Sequence, residues 1–70
     1  MSRLTDKEWI QLTRIMVEQV HLGLRMGQGY MNALHSINDK LYYEISNTEA
    51  DCFYDDNKII NFINFLDEQV

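Results

Sequence analysis

Thr5-Asp6-Lys7-Glu8 has the T-x-x-E form of a helix capping box and sets where the first helix of this chain must start. A threonine at the N-cap accepts the N3 amide while a glutamate at N3 reaches back to the N-cap amide, so two donors that a helix start leaves open are satisfied reciprocally. Leu4 then falls at N′ and Trp9 at N4, the two positions of a hydrophobic staple, and Asp6 puts a carboxylate at the positive end of the helix dipole. Together these features predict a helix over 6–22, ended by Gly23 at C′.

On a wheel of ~100° per residue, this helix is apolar over a wide arc. Trp9, Met16 and Val20 lie at its centre, Leu12, Ile10 and Val17 on the shoulders, and Ile15 and Leu22 beyond them. Lys7, Gln11, Arg14 and Glu18 make the only polar stripe. A surface helix of a small monomer buries one stripe, so the pattern predicts packing on two sides.

The glycines at 23, 27 and 29 interrupt the helical pattern, because each costs up to ~1 kcal/mol relative to alanine inside a helix. Tyr30, Ala33, Leu34 and Ile37 restore helical spacing and predict a second helix over 27–37. Asn38-Asp39 ends it and caps a short third helix over 40–46, carrying Leu41, Tyr42 and Ile45. Ser46-Asn47-Thr48-Glu49 is a turn cluster, and 47–56 reads as an irregular loop. Asp55 or Asp56 then caps a last helix over 57–68, with Ile59, Phe62, Ile63 and Leu66 on one face and Ile60 and Phe65 widening its arc. Strand-like alternation is absent. The expected fold class is all-α: a compact bundle of three or four short helices in a single domain, 1–70.

Charge is distributed unevenly. The net charge is −5, from eleven acidic and six basic residues. In residues 1–35, Arg3, Lys7, Arg14 and Arg25 stand against Asp6, Glu8 and Glu18, leaving +1. In residues 36–70, Lys40 and Lys58 stand against eight carboxylates, leaving −6. Nucleic-acid affinity comes mainly from cationic side chains that displace counterions, so DNA or RNA is not the expected partner. No apolar run approaches the ~20 residues needed to span a bilayer, and no charged segment followed by an apolar one opens the chain as in a signal peptide. With Cys52 as the single cysteine, no internal disulfide forms, and a reducing cytoplasm is the expected compartment.

The residues offer little for catalysis or for a bound metal. His21 and His35 stand fourteen positions apart with no C-x-x-C or H-x-x-x-H pair, so no zinc site is expected. An EF-hand loop beginning at Asp51 would carry Phe53, Asp56 and Phe62 where an oxygen ligand, a glycine and a glutamate are needed. Cys52 sits among acidic residues, which hold a thiol protonated and unreactive. Neither an enzymatic role nor a cofactor is expected.

The polar residues that stand out are Arg25, Gln28 and Asn32, which share one helix face, and the loop Asp51, Phe53, Tyr54, Asp55 and Asp56. Arg25 and Gln28 are expected to pair with the carboxylates and carbonyls of residues 51–56 and so organise the loop; the alternative is that these groups form a recognition surface. Tyr42, Tyr43, Phe53 and Tyr54 bring an aromatic group to the acidic half that suits either an interface or the core.

Arg25-Met26-Gly27-Gln28 with Asn32 and Leu34, followed by Asp51-Cys52-Phe53-Tyr54-Asp55-Asp56 and Ile59, reads R-x-G-Q-x-x-x-N-x-L … D-x-F-Y-D-D-x-x-I. This pattern resembles short proteins of tailed bacteriophages and related prophages, over roughly residues 24–66, with the capped first helix outside it. The resemblance transfers no functional residue. It implies a phage-type accessory protein made inside a bacterium, of a kind that often binds a host protein.

The expected function is therefore a noncatalytic helical interaction module, a homodimer that binds a bacterial host or phage protein. An acidic nucleic-acid mimic or anti-defence inhibitor using residues 44–56 is the alternative. A helix-turn-helix regulator reading DNA with 27–37 is a weaker one, since that segment carries no lysine or arginine.

Overall fold

Both halves of the capping box form at the start of α1 (Asp6–His21). Thr5 Oγ1 accepts the Glu8 N–H at 3.1 Å and Glu8 Oε1 accepts the Thr5 N–H at 3.0 Å. At the other end the Gly23 N–H reaches Val20 O at 3.0 Å and the Leu24 N–H reaches Gln19 O at 3.1 Å. This is a Schellman closure, and Gly23 takes the φ of +100° that closure needs.

The computed structural model describes residues 2–68. After α1 come α2 (Met26–Ile37), α3 (Asp39–Ile45) and α4 (Ile59–Leu66), the last entered through a 3-10 turn at Asp56–Lys58. Among the described residues there is no strand, and no helix is long and apolar enough to cross a membrane. The fold is a small all-α bundle. Its radius of gyration, 11.0 Å, is the ~11 Å expected of a close-packed chain of this length.

α1 and α2 form an antiparallel hairpin. Gly29 of α2 is buried against the backbone of Met16, Asn32 Nδ2 donates to Gln19 Oε1 at 3.1 Å, and Ile37 comes level with Ile15 and Gln11. This placement corrects the centre of the α1 apolar arc. Leu12 and Met16 are the buried residues of α1, whereas Val20, expected at the centre, is 41% exposed. The arc is wide enough to allow several rotations of the helix. The close approach at Gly29 selects the one that turns Ile10, Val17 and Val20 outward.

α3 is capped by Asn38, whose Oδ1 accepts the Leu41 N–H at 3.2 Å, and it buries Leu41 and Ile45. Beyond it Asn47 adopts a φ of 65°, which asparagine tolerates better than most residues, and the chain turns into the loop that precedes Asp56. Asp55 caps the 3-10 turn through the Asn57 N–H at 2.9 Å. The last helix is shorter than the expected 57–68: it opens as 3-10 and stops at Leu66.

α4 buries Phe62 and Leu66 completely, with the Phe62 ring 5.3 Å from that of Tyr30. The carbonyls at its end are taken by the N-terminal arm. The Arg3 N–H and Ser2 Oγ both donate to Leu66 O, at 2.7 and 3.1 Å, and Arg3 Nε donates to Phe65 O at 2.9 Å. The Arg3 guanidinium lies 4.3 Å above the Phe65 ring and pairs with Glu68. The arm thus closes a helix end that has neither a glycine C′ residue nor a basic last turn.

Replacing Thr5 by alanine is expected to lower unfolding stability by ~1 kcal/mol. Urea denaturation reads this as a lower midpoint at unchanged slope.

Candidate functional site

The loop preceding α4 is tied to the start of α2 by Asp56. Its Oδ1 accepts the Gly27 N–H at 3.0 Å and an Arg25 Nη1 proton at 3.1 Å. Gly27 is the second residue of α2, so its amide is one of the donors that every helix start leaves open. Here the capping carboxylate arrives from 29 residues downstream rather than from the residue before the helix. Arg25, which occupies the N-cap position, has no side-chain acceptor of its own. Its guanidinium instead reaches Phe53 O from Nη2 at 2.6 Å, and Gln28 Oε1 turns back to accept the Arg25 N–H at 3.1 Å.

Gly27 permits this approach. A Cβ at that position would fall 2.7 Å from Asp56 Oδ1 and still deeper inside the contact distance of the Cys52 carbonyl oxygen. Cys52 lies directly beneath, fully buried, with its thiol 3.5 Å from the Gly27 carbonyl. Burial pushes that thiol from 9.0 up to about 12, with Asp51 and Asp56 adding to the rise and a backbone hydrogen bond and Arg25 opposing it. Cys52 is therefore a packing residue and a poor nucleophile at neutral pH.

The sequence-identified residues divide between two places. Arg25, Phe53 and Asp56 meet in one latch, with Phe53 contributing its carbonyl. Gln28 caps the Arg25 amide and makes no hydrogen bond to the loop, and Asn32 turns to Gln19 of α1, so the expectation that Arg25 and Gln28 both hold the loop is corrected for Gln28. Asp51 is spent locally, its two oxygens accepting the Asn47 N–H at 2.8 Å and the Phe53 N–H at 3.0 Å.

The loop and the end of α3 enclose two shallow clefts. One, of about 240 Å³, is lined by Met31, Tyr42, Phe53 and Tyr54 together with Ser46, Asn47 and Asp51. The other, of about 230 Å³, adjoins it through Asn47, Asp51 and Tyr54 and adds Thr48, Glu49, Asp55 and Lys58. Tyr54 stands 86% exposed, with its ring 4.8 Å from Phe53 and 73° from coplanar. Asn47, Glu49 and Lys58 were not singled out from the sequence. The turn composition of 46–49 marks Asn47 and Glu49, while nothing local in the sequence marks Lys58. Among the described residues no set of three His, Cys, Asp or Glu side chains is placed to hold a metal ion.

Two tests follow from the latch. Helix propensity alone would make Gly27→Ala stabilising by up to ~1 kcal/mol. Contact with the Cys52 backbone reverses the sign, so a loss of ~1–3 kcal/mol is expected. The ion pair is about half exposed on both sides (44% and 46%), so it contributes little beside the cap. Asp56→Asn, which keeps the acceptor, is accordingly expected within ~1 kcal/mol of the parent, while Asp56→Ala loses ~1–2 kcal/mol. Urea midpoints of the three variants check both expectations.

The Cys52 shift gives a pH dependence with a definite sign. In the unfolded chain the thiol ionises near 9.0 and in the folded one only near 12, so the folded state keeps its full advantage below pH 9 and loses it progressively toward pH 12. The stability difference between the parent and Cys52→Ala is expected to narrow across that interval, measured by urea titration at successive pH values.

The chain matches no family model, no curated protein and no solved structure.

Proposed function

We propose that this protein is a noncatalytic helical interaction module that self-associates through α1 and binds a bacterial host or phage protein inside the bacterial cell. The observation that carries this reading is the bare stripe on α1. Ile10, Val17 and Val20 are 61%, 43% and 41% exposed, and with Thr13 they follow the i, i+3, i+7, i+10 spacing of a helix–helix seam. Lys7, Arg14 and His21 run beside the stripe at intervals of seven, so an apolar seam is bordered by a row of basic groups.

A chain of this size has limited means of stabilising itself alone. Below ~70–80 residues one core rarely supplies more than ~3–5 kcal/mol, and association is a common remedy. A second copy presenting the same stripe forms an isologous contact that closes on itself. The buried thiol and the shallow clefts also favour a binding role over catalysis. α2 carries no lysine or arginine and packs against α1, α3 and the 3-10 turn, which favours this reading over a DNA-reading helix.

Light scattering of the full chain at micromolar concentration is expected to give the mass of a dimer. Val17→Glu and Ile10→Glu are expected to give monomers with unchanged helical circular dichroism, because both side chains already face solvent in the single chain. A parent chain that stays monomeric while unfolding cooperatively would overturn self-association through α1.

A further inference from the structure

We propose that the paired clefts between the end of α3 and residues 47–58 take a lysine or arginine side chain from a basic segment of the protein partner, resting on the interaction-module function above. Size comes first. Each cleft, about 240 and 230 Å³, is smaller than the ~300–1,000 Å³ of pockets that hold whole organic ligands. A single long side chain is the occupant such a space accommodates.

Wall chemistry then selects the kind of side chain. Tyr42, Phe53 and Tyr54 present ring surface, and the steep angle between Phe53 and Tyr54 makes a corner of two faces. Ring faces attract cations, and they pack well against the methylene stem of lysine or arginine. Tyr42 and Phe53 line the first cleft and Glu49, Asp55 and Lys58 the second, with Asp51 and Tyr54 common to both. The rim of the second, three carboxylates against Lys58, therefore carries a net −2 beside the ring walls of the first. Among the described residues the salt bridges are Arg3–Glu68 and Arg25–Asp56, and none of these three carboxylates takes part in either. Asp51 and Asp55 each accept backbone N–H groups but keep their charge, so a cationic group entering the clefts meets carboxylates that no salt bridge engages, whereas a phosphate would be repelled.

Preorganisation supports the same occupant. The Arg25 bond to Phe53 O and the Asp51 bonds to Asn47 and Phe53 hold the wall before any ligand arrives, which limits the ordering cost of binding. Tyr54, at 86% exposure, contributes little buried area to the fold, so its large ring is free to serve a contact.

The test is a titration of the isotope-labelled full chain with a hexalysine peptide, followed by amide shifts, with hexaglutamate as the control. Saturable shifts confined to residues 42–58 are expected, weakened about three- to tenfold by Tyr54→Ala and abolished by Glu49→Lys. Retained amide dispersion shows that each variant is folded. Absence of saturable shifts, or shifts spread over the whole acidic half and indifferent to Tyr54→Ala, would overturn the proposal. So would shifts in the same clefts on raising protein concentration alone, accompanied by residues around Lys7 and Arg14, because the occupant would then be a second copy. Val17→Glu removes the α1 seam without touching the clefts, so hexalysine binding by that variant separates failure of this site from failure of self-association.

Discussion

The Asp56 carboxylate at the start of α2 is the contact on which the second half of the fold depends. α2 begins after a Schellman turn and has arginine at its N-cap, a residue that cannot accept its amides. A carboxylate from the loop supplies the missing acceptor, and in doing so joins residues 51–56 to a helix formed far upstream. Its energy is modest, on the order of ~1–2 kcal/mol for the cap, beside the burial of Phe62, Leu66 and Ile45. Its consequence is positional: once burial has brought the loop to α2, it fixes the register of residues 53–56 against the helix start and so the shape of the clefts behind Tyr54.

Glycine makes that contact geometrically available. At Gly27 the loop backbone comes so near α2 that any side chain would collide with it. The spacing that looked like a run of helix-weakening residues therefore has separate causes. Gly23 supplies a left-handed turn, and Gly27 leaves room for a second segment of backbone. The price in helix propensity is offset by a terminus and a crossing that no larger residue could form.

α1 shows the complementary problem. Its apolar arc exceeds what one hairpin partner can cover, and the bundle covers the Leu12–Met16 side first. The uncovered seam and the acidic, aromatic clefts lie on different elements, and they differ in chemistry as well. The chain thus carries one apolar face bordered by basic groups on α1 and one acidic, aromatic recess at the loop.

Much of this was legible in the sequence wherever the cause is local. Thr5 and Glu8 lie three residues apart, as do Asn38 and Leu41, and Gly23 follows its helix directly, so each end of structure could be read from neighbours in the chain. The pairing of Arg25 with the later loop was also within reach, since residues 36–70 hold two cations against eight carboxylates. The rest was not. Gln28 and Asn32 share a helix face with Arg25, yet one bends back to its own helix start and the other crosses to Gln19. By itself the sequence determined the helices and most of their caps, because those depend on contacts within about four residues. Only the tertiary structure decided which side of α1 stays bare and which carboxylate caps α2. A wide apolar arc is satisfied by several rotations, and a remote cap exists only after burial of Cys52 and Phe62 has brought the loop to the helix.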